Sequence, residues 1–200
     1  MKPELRQFLR HLEEHGGIHD AAESEHSRKL LNLEPDTAEL LSILARSSGA
    51  RCALEIGTSN GYSTIWLAAS IGPAGGRVTS IDRSQEKHRM ARENLSAAGL
   101  SEYVDLQFGD ATEVVKTLPG PFDFVFFDAD RKSAPAQLTL LLPKLASAAL
   151  ILADNVFSHP AEFADYLALV KSLKHLQHVV VPVGKGLSVA FADARYPESS

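Results

Sequence analysis

The sequence holds a single cysteine, Cys52, among 200 residues, which excludes an internal disulfide and a cysteine-built zinc site. Its place in an apolar strand pattern predicts a small buried side chain. Apolar stretches are short, and none reaches the roughly 20 residues needed to cross a bilayer. The opening residues, Met1 to Leu12, interleave Lys2, Glu4, Arg6 and Arg10 with Leu5, Phe8 and Leu9. That is the spacing of an amphipathic helix, without the apolar block of a secretory leader. A cytoplasmic protein that does not associate with membranes is expected. Positive charge is scarce too: 20 Lys and Arg stand against 25 Asp and Glu, for a net charge of -5. No stretch gathers the basic excess that nucleic acid requires, so nucleic acid is not an expected partner.

What is present is ordinary for a globular chain, with 44% hydrophobic and 22% charged residues. A chain of this length can bury roughly two thirds to three quarters of its unfolded surface around one core. A single domain over residues 1–200 is therefore expected, with 1–34 as a helical cap region. After the leading helix, His15 to Glu25 carries Gly16 and Gly17 and reads as a connector. Asp36 or Thr37 can cap a helix running through Ser47, with Pro35 just ahead and Gly49 ending it.

From there strands and helices alternate. Strands are expected at Cys52 to Ile56, Val78 to Ile81, Val104 to Phe108, Phe122 to Phe127 and Ala149 to Ala153. Helices are expected near Tyr62 to Ser70, from Gln85 to Ala98, around Ala136 to Leu145 and near Ala161 to Leu173. Gly99 closes the second of these as a left-handed cap. The run FDFVFF suits a central strand covered on both faces. Val179 to Val183 and Leu187 to Ala192 flank Gly184-Lys185-Gly186, the pattern of a closing hairpin. The fold class is α/β: a Rossmann-like, doubly wound, mostly parallel sheet that ends in an antiparallel hairpin and carries extra N-terminal helices.

Such sheets bind ligands beyond the carboxyl ends of their strands, and residues with useful chemistry cluster there in this sequence. The first loop reads EIGTSNG, with Gly57 and Gly61 four apart. It matches neither the GxGxxG dinucleotide turn nor the GxxxxGK[ST] phosphate loop. Gly57 would let backbone approach a ligand, while Ser59, Tyr62 and Ser63 sit near a helix N-terminus suited to a carboxylate. Asp82 ends the second strand, where it can accept from both hydroxyls of a ribose. Asp110, with Ala111 beside it, ends the third and can take an adenine amino group. Ribose and adenine without a pyrophosphate site point to S-adenosylmethionine.

The segments LEIGTSNGYST, VTSIDRSQEKHRMARENLSAAGL, VDLQFGDA, FDFVFFDAD and LILADNV resemble the cation-dependent O-methyltransferases, among them the catechol and caffeoyl-CoA O-methyltransferases. The resemblance runs from about Leu30 to Asn155, with a weaker echo at Val181 to Ala190. It implies that Glu55, Gly57, Ser63, Asp82, Ala111 and Asp128 line a cofactor pocket. Thr58, Ser59, Arg83, Asp110 and Asp130 complete the cofactor candidates, Asp130 also being placed to cap the next helix. The resemblance further implies that Asp128, Asp154 and Asn155 bind a divalent cation, and it implies a homodimer. Two carboxylates and an amide oxygen suit Mg²⁺, Mn²⁺ or Ca²⁺, and the remaining positions would hold two vicinal hydroxyls of a small phenolic acceptor. Asp154-Asn155 also reads as a plain strand-end turn.

The chain departs from the family at the acceptor end. Arg131 follows the DAD motif where the family has Lys, and arginine can stabilise an oxyanion but cannot easily accept a proton. Asp128 and Arg131 are the catalytic candidates, with the adjacent Lys132 a weaker choice as base. Ser133-Ala134-Pro135 replaces a family tyrosine, Ser147-Ala148-Ala149 replaces a Pro-Gly-Gly turn, and the segment between Asn155 and Val181 is short. His159 could enter the acceptor pocket. His175 and His178, with Lys171 and Lys174, read as a solvated face, and Trp66 and Leu67 as core. A metal-independent methyltransferase, a nicotinamide-dependent oxidoreductase on a similar sheet and a non-catalytic adenosyl-binding protein remain the alternatives.

Overall fold

A computed structural model describes residues 1–193, so the last part of the expected 1–200 domain lies outside the described residues. Helix α1 (Pro3–Ala22) and α2 (Pro35–Ser47) precede β1 (Cys52–Ile56), α3 (Tyr62–Ile71), β2 (Arg77–Asp82) and α4 (Gln85–Ala97). Then come β3 (Val104–Phe108), α5 (Ala111–Thr117), β4 (Phe122–Phe127) and α6 (Ala134–Leu141). The described residues close with β5 (Leu145–Ala153), α7 (Pro160–Ser172), β6 (Leu176–Val181) and β7 (Leu187–Asp193). One seven-stranded sheet forms in the order β3-β2-β1-β4-β5-β7-β6. The pairs among β1 to β5 are parallel, while β7 runs antiparallel to both β5 and β6. The strand order reverses between β1 and β4, the crevice where this class of sheet takes its ligands.

Alternation along the strands builds a core on each face. Phe124 and Phe126 of β4 join Ala53, Ile65 and Leu67 on one side. Val125 and Phe127 join Leu54, Ile56 and Tyr166 on the other. Helix α3 lies beneath α1 and α2 and is buried along nearly its whole length, which accounts for its mostly apolar, uncharged sequence. Trp66 is core within it, with the Arg6 guanidinium 5.9 Å from its ring centroid. No helix among the described residues is long and apolar enough to cross a membrane.

Several expectations need correction. Helix α1 continues through Gly16 and Gly17 to Ala22, where a connector was expected from His15. Gly16 is needed for close packing, since a Cβ there would strike the Asn32 amide, whose Nδ2 donates to the Leu12 carbonyl at 3.0 Å. Cys52 is exposed, because it starts β1 at the rim, where the amides of Arg51 and Cys52 donate to the Asp123 carboxylate. Neither Asp36 nor Thr37 caps α2: the cap is Glu34, without a side-chain bond, and Pro35 opens the helix. The short helix α5 was not foreseen, and the helix expected at Ala136 to Leu145 stops at Leu141, with β5 beginning at Leu145. His178 is not simply solvated, as its Nε2 pairs with Ser188 Oγ at 2.9 Å.

Candidate active site

The parallel ladder continues past the strand ends and fixes the loops. The amides of Gly57 and Thr58 donate to the Ile81 carbonyl at 3.0 and 3.2 Å, and that of Asp128 donates to Ile56 at 2.8 Å. The amide of Asp154 reaches the Phe127 carbonyl at 3.1 Å. Four strand tips are thereby laid side by side around one cavity of about 920 Å³. Gly57 makes this possible, for its φ is +113° and a Cβ there would run into the Asp128 carbonyl group. Only glycine lets these two loops touch.

On the β1–β2 side, Asp82 Oδ2 accepts from the Ser59 amide and Oδ1 from the Ser84 amide, each at 2.8 Å. The carboxylate is thus held at the wall with lone pairs remaining for a ligand. Ser59 has a left-handed backbone, φ 47°, and its hydroxyl donates 2.7 Å to the Leu30 carbonyl. Tyr62 and Ser63, the first residues of α3, also line the cavity, so the positive end of that helix dipole faces it. Asp110 caps α5, with Oδ1 accepting from the amides of Thr112 and Glu113, which leaves Oδ2 for a ligand. Arg83 and Ala111 are on the same wall.

Glu55 and Thr58 are not among the residues that line the cavity. They belong to a buried hydroxyl network behind it: Glu55 Oε2 accepts from Ser80 at 2.6 Å and from Thr64, and Thr58 Oγ1 pairs with Ser80 Oγ at 2.6 Å. Glu55 Oε1 has no hydrogen-bond partner. Burial pushes the Glu55 carboxyl up to about 7, against the opposing hydroxyls that favour its charged form. Between its ordinary value and about 7 the folded protein holds a proton that the unfolded chain has lost, so this group's contribution to stability is present at acidic pH and is lost as pH rises through that window. Glu55→Gln keeps the acceptor atom and puts a donor where Oε1 is stranded. The variant is expected to match the wild type in mildly acid solution and to melt roughly 5–10 °C higher at about pH 8. Thermal melts at the two pH values test this, and an equal difference at both would contradict it.

On the β4–β5 side, Asp154 is 2% exposed, and its Oδ1 is buried without a hydrogen-bond partner. Asn155 takes the left-handed turn, φ 71°, and its Nδ2 lies 3.4 Å from Asp128 Oδ1. Burial raises Asp154 to about 6. Asp128 is raised well above the ordinary carboxylate range by burial and by the neighbouring charge of Asp154. Desolvation is the main cause of both shifts, with the charge of Asp154 adding to it at Asp128 and that of Glu34 adding to it at Asp154. The stranded oxygen and the hard donor set fit a divalent cation, although no three His, Cys, Asp or Glu among the described residues form a group that could hold one. Asn155 would therefore have to complete the set.

Around this pair, Arg131 lines the cavity and bonds Glu162 Oε2 through Nη1 at 3.3 Å, with Nε unpartnered. Asp130 also lines the cavity, and its two oxygens accept from the Lys132 amide and the Ser133 hydroxyl of its own turn, so it stands in the wall and in the turn at once. Lys132 is exposed and not among the cavity-lining residues, whereas His159 lines the cavity and shares a 2.9 Å hydrogen bond with the Ser158 hydroxyl.

Sequence reasoning missed the wall contributed by residues 23–34. Asp20 accepts from the amides of Leu30 and Leu31 at 2.7 and 2.8 Å, which with the Ser59 bond lays this segment over the cavity. Glu34 is part of that wall, with Oε1 2.6 Å from Lys185 Nζ and a buried Oε2 without a partner. The available signal was the apolar run Leu30-Leu31-Asn32-Leu33 ahead of Pro35, since proline holds the preceding residue extended.

A catechol O-methyltransferase of Mycobacterium tuberculosis is 40% identical over 119 residues, 59% of this chain and 54% of that protein. One of Niastella koreensis is 33% identical over 130 residues, 63% of this chain and 58% of that protein. The chain thus matches little more than half the length of these curated relatives. Among solved structures, an O-methyltransferase from Bacillus cereus in complex with SAH superimposes with a TM-score of 0.81 at 25% identity, covering 94% of this chain and 91% of that one. The TomG O-methyltransferase of Streptomyces achromogenes, in complex with SAM, gives the same score and identity over 96% and 91%. A family model described as O-methyltransferase matches residues 14–189, and the chain belongs to that family.

Proposed function

We propose that the protein transfers the methyl group of S-adenosylmethionine to a hydroxyl oxygen of a small phenolic acceptor with vicinal hydroxyls, assisted by a divalent cation at Asp128, Asp154 and Asn155. The observation that carries this reading is the juxtaposition, in one cavity, of the Gly57 and Asp82 wall with the buried Asp128–Asp154 pair. The names of the relatives support the acceptor class, and the structures in complex with SAH and SAM support the donor.

In this reading Asp82 accepts from the ribose hydroxyls, and the N-terminus of α3 with Ser63 receives the amino-acid carboxylate. Ala111 leaves room for adenine beside Asp110. Asp128, Asp154 and Asn155 would hold the cation, whose charge would lower the pKa of the acceptor hydroxyl to be methylated. The acceptor oxygen forms a bond to the methyl carbon as the carbon–sulfur bond breaks. The electron pair stays on sulfur, giving the neutral thioether, and the hydroxyl proton passes to solvent. Arg131, fixed by Glu162, stabilises the oxyanion and stays protonated. Positioning of donor and acceptor in one cavity supplies most of the rate.

The test is transfer of a labelled methyl group from S-adenosylmethionine to a panel of catechols, first with chelator and then with excess Mg²⁺. Label should enter the acceptor only when Mg²⁺ is present. Turnover unaffected by chelator would remove the cation from the mechanism, and absence of label from every acceptor would overturn the reading.

A further inference from the structure

Glu34 is an acidic residue of the cavity wall that the proposed mechanism leaves unused, and it carries a buried oxygen without a partner. It belongs to the N-terminal wall, far in sequence from Asp128 and Asp154, yet all three line the same cavity. Two buried carboxylate oxygens there, Asp154 Oδ1 and Glu34 Oε2, lack hydrogen-bond partners. A desolvated carboxylate oxygen without a donor is costly unless a cation or a ligand hydroxyl meets it. Position 34 is also mechanically joined to the Asn155 turn. Lys185 Nζ holds Glu34 Oε1 at 2.6 Å, and the Lys185 carbonyl accepts from the Phe157 amide at 2.8 Å. A Cβ on Gly184 would lie 2.9 Å from Glu34 Oε2, so the β6–β7 turn is shaped to seat this side chain.

We infer that Glu34 is a third acidic group of the cation site, supplied by the N-terminal wall and held in check by Lys185. The inference rests on the proposed cation at Asp128, Asp154 and Asn155. Glu34 is outside the inner ligand set in this geometry, so it acts through its charge, strengthening the hold on a divalent ion while Lys185 opposes it. Its charge already bears on both carboxylates, helping to raise Asp128 and Asp154, whereas Lys185 lowers Asp154. A divalent cation held at Asp128 and Asp154 would meet the Glu34 charge as an attraction.

The test is titration of the full chain with Mn²⁺ alone, following free Mn²⁺ by electron paramagnetic resonance, for the wild type and for Glu34→Gln, Lys185→Gln and Asp154→Asn. Binding should weaken about tenfold in Glu34→Gln and tighten about threefold in Lys185→Gln. In Asp154→Asn it should be lost. If Glu34 merely pins the turn through its ion pair, both members of the pair would weaken binding alike, and that result would overturn the inference, as would an unchanged Glu34→Gln. Wild type and Asp154→Asn binding Mn²⁺ equally poorly would overturn the cation reading itself. An intact Asp154 effect beside an inert Glu34 would sink only the inference.

Discussion

Asp154→Asn is expected to cut Mg²⁺-supported methyl transfer by at least about a hundredfold while leaving the protein as stable as the wild type or more so. The two halves of this result come from the same burial. Asp154 is 2% exposed with Oδ1 unpaired, and burial raises it to about 6. Between its ordinary value and about 6 the folded state holds a proton that the unfolded chain has released, so stability from this group falls across that window. Above it the ionised carboxylate is carried at a cost, and the neutral amide removes that cost. What the amide cannot supply is a negative oxygen for a cation. Steady-state turnover with saturating Mg²⁺, set beside thermal melts at about pH 8, checks both halves. A variant that keeps full turnover would refute the role of Asp154. One that loses turnover only because it melts early would reduce the residue to a structural one.

Gly57→Ala should lower the melting temperature by about 10 °C and abolish cofactor binding. Its φ of +113° is closed to most L side chains, and the new Cβ would lie 2.7 Å from the Asp128 carbonyl carbon and still closer to the oxygen. Relief requires the β1 and β4 loops to part. That movement would break the Asp128 amide bond to the Ile56 carbonyl and carry Asp128 away from Asp154. The cost combines backbone strain with lost ladder bonds, together several kcal/mol. Thermal melts and a cofactor titration read the two effects separately, and near-normal values in both would mean that the loops do not depend on this contact.

Much of the architecture was legible because local pattern and tertiary role coincide. In Phe122 to Phe127 every second side chain feeds an opposite core, and the strand is found where its aromatics begin and end. The hairpin around Gly184 and Gly186 follows from glycines that both take positive φ. The errors arose where a residue serves two demands. Gly16 looked like a break because a helix interior has no local use for glycine, and its reason lies in Asn32, distant in sequence. Asp110 drew attention as a ligand and hid its work as the cap of α5. The wall from residue 23 to 34 has no periodicity to betray it, being shaped by Asp20 and Ser59 from other elements. Glu34 was invisible for the same reason, since its partners lie on the β6–β7 turn.

The central claim is that four strand tips close around one adenosyl ligand carrying sulfur where a dinucleotide would carry phosphate. Calorimetric titration of S-adenosylhomocysteine into the protein, in parallel with NAD, tests it most directly. The account predicts saturable binding of the thioether, in chelator as well as in Mg²⁺, and none of NAD. A folded protein that takes up NAD and gives no heat with S-adenosylhomocysteine would contradict it.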